Sequence, residues 1–347
     1  GRWTRSEINQ WYASQEWPVG MNYVPRTAIN PIEMWQQSTF DPQTIDQELG
    51  WAEELGFNSM RVYLNHLVWK KDSAAYIDRI DQFLEIADRH GLSTMFVFFD
   101  AVWRPHSSLG PQPDPIPHVH NSQWVQCPDQ ETLKDTASYD ELKKYVQHIG
   151  RAFANDERVI IWDMYNEPGN HNGGRFEEIP EKDRYVYMLL EKSFKWMRQV
   201  DPSQPLTAAP WIGDWSNRDS LSRFNEFMLD HSDIISFHGY DPPEKFKKKV
   251  EWLEVYDRPM VCTEYMSRKT GNTFENLLPF MEERKIGAYN WGFVSGRSQT
   301  IYPWDSWQKD YTSEPEMWFH DILRKDGTPY DPSETQLIRR LTGATNS

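Results

Sequence analysis

Eight short apolar runs alternate with eight amphipathic segments along this chain, and few folds accommodate that order. The runs lie at 19–24, 58–64, 94–99, 159–164, 206–209, 234–238, 260–263 and 288–293. They are rich in Val, Ile, Phe and Tyr, which suit a pleated surface. Helical spacing predicts segments at 41–55, 75–90, 139–153, 183–200, 221–229, 244–256, 274–284 and 316–324. In 75–90, the residues Ile77, Ile80, Phe83, Leu84, Ile86 and Ala87 share one face, and Gly91 follows as a stop. The segment 41–55 opens on Asp41-Pro42, a cap followed by proline at the first helical position. A last short helix at 335–341 is expected against the bottom of the molecule. The order predicts an α/β fold, a (β/α)8 TIM barrel, as a single domain over 1–347. An open doubly wound sheet alternates in the same way, and periodicity does not separate the two.

Two connections are long, 101–137 after the third strand and 296–315 after the eighth. Long loops in compact domains usually carry function. In a barrel both would stand on the C-terminal face, where active sites of that fold lie.

Two strands end in glutamate. Trp162-Asp163-Met164-Tyr165-Asn166-Glu167-Pro168 closes the fourth, and proline forces the chain out of the ladder there. Met260-Val261-Cys262-Thr263-Glu264-Tyr265 closes the seventh. One such glutamate is more often a solvated loop carboxylate. Two on opposite sides of one barrel mouth suit glycoside hydrolysis, which uses one carboxyl as acid/base and another as nucleophile.

These motifs resemble the clan A, or 4/7, superfamily of glycoside hydrolases, and more narrowly glycoside hydrolase family 5. Phe57-Asn58-Ser59-Met60-Arg61 resembles that family's second strand. Phe237-His238-Gly239-Tyr240 resembles its sixth, and Tyr289-Asn290-Trp291 its eighth. The likeness runs from Val19 to about Leu323. It implies a retaining hydrolase with Glu167 as acid/base and Glu264 as nucleophile. Asn166 would bind the sugar 2-hydroxyl, and Tyr240 would orient Glu264. Arg61 would lower the pKa of Glu264, His238 would lie near Glu167, and Trp291 would underlie the sugar. One position departs: the family usually carries His at the end of strand 3, where Asp100 stands here, and Asp100 is placed with Arg61 among the substrate-binding residues.

The 17 Trp, 16 Tyr and 17 Phe are many for a chain of this length. Most are expected in the core. Trp103, Trp124, Trp304 and Trp307 lie in the two long loops, and Trp103 and Trp304 are the candidates for a sugar-facing wall. The formal charge of −15 excludes nucleic acid and anionic membrane surfaces as partners and favours a neutral carbohydrate. No apolar run reaches transmembrane length. The opening Gly1-Arg2-Trp3 has neither Met nor a signal peptide and is read as a trimmed start, with any export signal removed, so a periplasmic or secreted location is expected. Neither a cofactor nor a metal is called for. His118-x-His120 has the spacing of a metal pair, but loop histidines more often serve as hydrogen-bonding groups. Cys262 has no base placed beside it and reads as packing. Lys245, Lys247, Lys248 and Lys249 read as a solvated helix face.

The loops after strands 3 and 8 would narrow the cleft, which favours exo action on short chains. An endo-acting β-mannanase, β-glucanase or xylanase is the alternative. From other classes come a non-catalytic carbohydrate-binding barrel and a metal-dependent hydrolase using His118, His120 and His238.

Overall fold

The computed structural model describes residues 1–344. The eight strands are β1 (Val19–Asn22), β2 (Ser59–Tyr63), β3 (Ser93–Asp100), β4 (Val159–Asn166), β5 (Leu206–Thr207), β6 (Ile235–His238), β7 (Met260–Glu264) and β8 (Gly287–Asn290). Every paired neighbour is parallel, in the order β5-β4-β3-β2-β1-β8-β7-β6. Side chains close the ring between β5 and β6. The Thr207 hydroxyl lies 2.6 Å from that of Ser236 and donates to the Ile234 carbonyl. The Asp233 N–H donates to the Leu206 carbonyl at 2.8 Å. The result is a nearly closed TIM barrel, which decides between the two architectures the pattern allowed.

Around it run α1 (Arg5–Ala13), α2 (Pro31–Trp35), α3 (Pro42–Glu54), α4 (His66–Lys71), α5 (Ser73–Arg89), α6 (Gln130–Lys134), α7 (Tyr139–Phe153), α8 (Lys182–Val200), α9 (Arg223–His231), α10 (Pro243–Glu254), α11 (Phe274–Glu283) and α12 (Pro332–Thr342). Asp41 caps α3 by accepting the Thr44 N–H, with Pro42 at the first position. Successive strand residues face opposite ways, and the outward set packs on the helices. Met60, Val62, Phe96, Phe98, Trp162 and Phe237 join Ile45, Leu49, Ile80 and Phe83 in that core. At Gly20 an added Cβ would stand 1.6 Å from the Ser59 carbonyl oxygen, so only glycine lets β1 approach β2.

The barrel floor belongs to α1, which the periodicity reading missed. Thr4 and Glu7 form a capping box at its start. Its Ile8 and Tyr12 pack on Met95, Ile161, Ile234, Val261 and Tyr289. Burying the Ile8 side chain in this way is worth about 1.5–3 kcal/mol.

The eighth helix is not where the pattern put it. Residues 316–324 are irregular, and Trp318 to Leu323 are all buried, whereas a surface helix would expose every third or fourth residue. The buried Arg268 fixes this stretch by donating to the carbonyls of Trp318, His320 and Asp321. The eighth outer helix is α12, the segment read as an extra piece below the barrel. It packs beside α11, and Thr342 reaches the Leu55 carbonyl just past α3. No helix among the described residues is long and apolar enough to cross a membrane.

Candidate active site

The C-terminal ends of the strands open into a pocket of about 470 Å³. Its base is built around Arg61, which is fully buried on β2. Arg61 Nε and Nη2 hold Asp163 Oδ2 on β4 at 3.0 and 2.9 Å. Nη1 donates to Asn22 Oδ1, the Tyr63 hydroxyl and Glu264 Oε2, each at 2.9 Å. Nη2 also donates to Asn166 Oδ1 at 2.8 Å. One planar cation thus aligns side chains from four strands. Its five donors in a fixed fork suit that task better than an ammonium would.

Glu264 ends β7. The Tyr240 hydroxyl donates to its Oε1 at 2.8 Å, and the Tyr63 hydroxyl to its Oε2 at 3.3 Å. Burial raises its pKa, and the His238, Arg61 and Tyr240 contacts oppose that rise without cancelling it. Arg61 therefore acts in the expected downward sense, but burial outweighs it. Glu167 follows β4 with a φ of 47°, in the left-handed region before Pro168, a strained geometry of a kind found at active sites. Its Oε2 lies 2.6 Å from His238 Nδ1, and its Oε1 accepts from Asn170 Nδ2 at 2.9 Å. Burial pushes the Glu167 carboxyl up to about 7, and Asn170 and Arg61 pull it down. Burial pushes the His238 imidazole down to about 4, so it is neutral near pH 7. A donor atom from each of Glu167, His238 and Glu264 lies within 4.8 Å of the other two. The Arg61 guanidinium on Glu264 places a fixed positive charge against any cation there.

Asn166, Glu167, His238, Tyr240, Glu264, Trp291 and Trp304 line the pocket. Arg61 and Asp100 do not, and that alters the expectation that they touch substrate. Asp100 pairs in register with Asn166 across β3 and β4. Its Oδ1 accepts from Asn166 Nδ2 and its Oδ2 from Trp124 Nε1, both at 2.9 Å. Burial raises Asp100 to about 7. At the strand-end position where this sequence departs from the pattern it resembles, this carboxyl orients Asn166 from behind. Trp103 lines the pocket, but its indole is buried and already packed. It stacks on Trp307 at 5.2 Å and 10°, and Arg175 lies over it at 5.6 Å. Trp304 meets Tyr240 and Phe319 nearly edge-on.

His118 and His120 do not converge on His238. His120 Nδ1 sits 2.9 Å from the Tyr302 carbonyl, and the His118 ring packs edge-on against that of Tyr302. Cys262 is buried with its thiol pKa raised, and its Sγ donates to the Glu264 carbonyl. Of the lysine run, Lys245 and Lys249 line the pocket, ion-paired with Asp241 at 3.4 and 2.7 Å.

Sequence reasoning missed Tyr63, Asn170, Arg175 and Trp211, all of which line the pocket. Tyr63 was findable, since it stands two residues beyond Arg61 and shares its strand face. Trp211 was findable as the first aromatic after the fifth strand. Its Nε1 donates to the Pro168 carbonyl, and the neighbouring Ile212 is 57 % exposed. For Asn170 and Arg175 the sequence carries no local signal.

A family model described as Cellulase (glycosyl hydrolase family 5) matches residues 25–296. No curated protein sequence matches the chain. Among solved structures, the exo-β-1,4-mannosidase of Opitutaceae bacterium strain TAV5 aligns with a TM-score of 0.64 at 15 % identity. That alignment covers 95 % of this chain and 60 % of the other. GH5_18 from Streptomyces cattleya, in complex with GlcNAc, gives 0.59 at 14 %, covering 95 % and 81 %. The endo-β-1,4-mannanase of Thermotoga petrophila gives 0.57 at 13 %, covering 96 % and 77 %.

Proposed function

Since the chain belongs to glycosyl hydrolase family 5, we propose that it is a retaining β-glycosidase that removes terminal sugars from short neutral β-mannosyl oligosaccharides. The observation that carries the mechanism is the approach of Glu167 and Glu264 to within 4.8 Å, in unequal surroundings. Retaining enzymes hold their carboxyls about 5–5.5 Å apart, whereas inverting ones leave room for a water. Glu264 faces Arg61 and two tyrosine hydroxyls, which favour the ionised form a nucleophile needs. Glu167 touches no cation directly and titrates at about 7, so it can hold a proton at neutral pH. In the first step a Glu264 oxygen bonds to the anomeric carbon. The bond to the departing oxygen breaks, and that oxygen takes the Glu167 proton. In the second step water attacks the glycosyl ester, Glu167 takes its proton, and Glu264 leaves as carboxylate.

What supports chain-end action is how the pocket is walled. The loops after β3 and β8 flank β1 and β2 in the ring, and they are stitched together across that side. The His120 N–H donates to Ser306 Oγ, Trp307 Nε1 to the His120 carbonyl, and the Asn121 N–H to the Ser298 carbonyl. The opposite side, with Asn170, Gly173, Trp211, Ile212 and Gly213, follows β4 and β5. Glu167 stands on that side, so the leaving group extends there and the terminal sugar lies toward the stitched loops. The β-mannosyl assignment is supported by the likeness to the mannosidase and mannanase structures.

A panel of aryl β-glycosides and β-1,4-manno-oligosaccharides tests the reading, with products resolved by size and the first-formed anomer read by proton NMR. Release of single mannose units as the β anomer is expected. An α first product would end double displacement, and internal cuts alone would replace exo by endo action.

A further inference from the structure

Asn170 stands beside the acid/base, and all its polar groups are committed. Its N–H donates to the Glu167 carbonyl at 3.1 Å. Its carbonyl accepts from Lys182 Nζ at 3.0 Å, and its Oδ1 accepts the Asn172 N–H at 2.7 Å. Its Nδ2 donates to Glu167 Oε1 at 2.9 Å. Chemistry fixes the orientation of this amide. A backbone N–H can only donate, so the oxygen must face Asn172 and the NH2 group must face Glu167. Lys182, buried at the start of α8, also donates to the Ala101 carbonyl and to Glu178 Oε1. Glu178 Oε1 accepts from Gln126 and Asn172 as well. Asn170 is thus braced against the loop after β3 and the head of α8, and it cannot turn away from the carboxyl.

We infer that Asn170 is a positioning residue for the acid/base: by holding Glu167 Oε1 as an acceptor, it leaves Oε2 as the oxygen that carries the transferred proton, with neutral His238 Nδ1, 2.6 Å away, accepting that proton's hydrogen bond at rest. This rests on the glycosidase reading above. In the first step the Oε2–H bond breaks, the proton moves to the glycosidic oxygen, and the C–O electron pair leaves with that oxygen. In the second, Oε2 accepts a proton from the water whose oxygen bonds to the anomeric carbon. An N–H bonds an ionised carboxylate more strongly than a neutral carboxyl. Asn170 therefore also keeps Glu167 from rising as far as burial alone would take it.

Asn170→Asp keeps the shape and the acceptor for Asn172, but sets a carboxylate against Oε1. Asn170→Ala removes the donor outright. Both variants are compared with wild type in kcat/KM against pH on a glycoside with a poor leaving group, after matching melting temperatures. The basic limb is expected to move up by about one pH unit in Asn170→Asp and by less in Asn170→Ala, with KM changed less than about threefold. A lowered kcat with an unmoved limb in both variants would mean a structural role only and would overturn the assignment. Carbon-13 NMR of labelled Glu carboxyls, with Glu167 assigned through Glu167→Gln, reads the same titration without turnover. An unmoved Glu167 midpoint in Asn170→Asp also overturns the assignment. If wild type cleaves no glycoside, the functional reading falls, and the NMR midpoint still decides what Asn170 does to Glu167.

Discussion

Replacing Arg61 by Met removes the cation on which the barrel mouth is organised and leaves a side chain of similar length. Asp163 is fully buried and loses both of its charged contacts. Its Oδ1 already lacks a hydrogen-bond partner, and His238 and the Tyr165 backbone favour its charge less than Arg61 does. Glu264 loses its one permanently charged partner, and the oxygens of Asn22 and Asn166 each lose a donor. Stranding one buried charge typically costs about 3–5 kcal/mol. Unfolding entropy of roughly 2.1 cal/mol/K per residue gives about 0.7 kcal/mol/K for a chain of this size, so the melting temperature should fall by about 4–7 °C. The loss should depend on pH with a definite sign. Burial already raises Asp163 and Glu264 above their unfolded values, and without Arg61 both rise further. Below the unfolded carboxylate range both states are protonated and the variant's deficit is small. It grows as pH climbs through the raised folded values, because the unfolded chain then ionises more readily. Urea unfolding at a series of pH values from about 4 to 8 measures this. A deficit below about 1 kcal/mol, or one flat with pH, would refute the view of Arg61 as the charge keystone.

The remaining expectations are narrower. Glu167→Ala should slow poor leaving groups by about 10²–10⁴-fold and activated aryl glycosides far less, with azide restoring turnover; equal loss on both, without rescue, would take Glu167 out of the acid/base role. The wild-type kcat/KM should fall as pH rises through about 7, since the first step needs Glu167 protonated, and a basic limb near pH 5 would contradict its buried setting. Trp211→Ala should lower kcat/KM on disaccharides by roughly 2–10-fold through lost ring contact; an unchanged value would remove Trp211 from the leaving-group side. Trp307→Ala removes the stack on Trp103 and the bond to the His120 carbonyl. Chromatography should then show longer oligosaccharides cut internally, and an unchanged product pattern would argue against the stitched loops as the barrier.

Much of the fold was legible because strand and helix periods are local. The two glutamates were legible because a strand that stops at Glu-Pro or Glu-Tyr fixes its last side chain at a barrel mouth. Residues 316–324 misled because their apolar spacing imitates a helix, while the partner that holds them in an irregular path, Arg268, lies some fifty positions earlier. Trp103 misled because the sequence does not reveal that Trp307 stacks on its ring and Arg175 lies over it. Asp100 misled because a strand-end carboxylate looks the same whether it meets solvent or supports Asn166 from behind.

By itself, then, the sequence determined the alternation, the ends of the strands and the chemical types that stand there, all set by backbone sterics and side-chain direction over a few residues. Tertiary structure decided which of those ends share one guanidinium and which loops close over β1 and β2. It also decided how far burial lifts each carboxyl. Those outcomes depend on ring closure, register and the removal of water, and each is a sum over residues far apart in the chain.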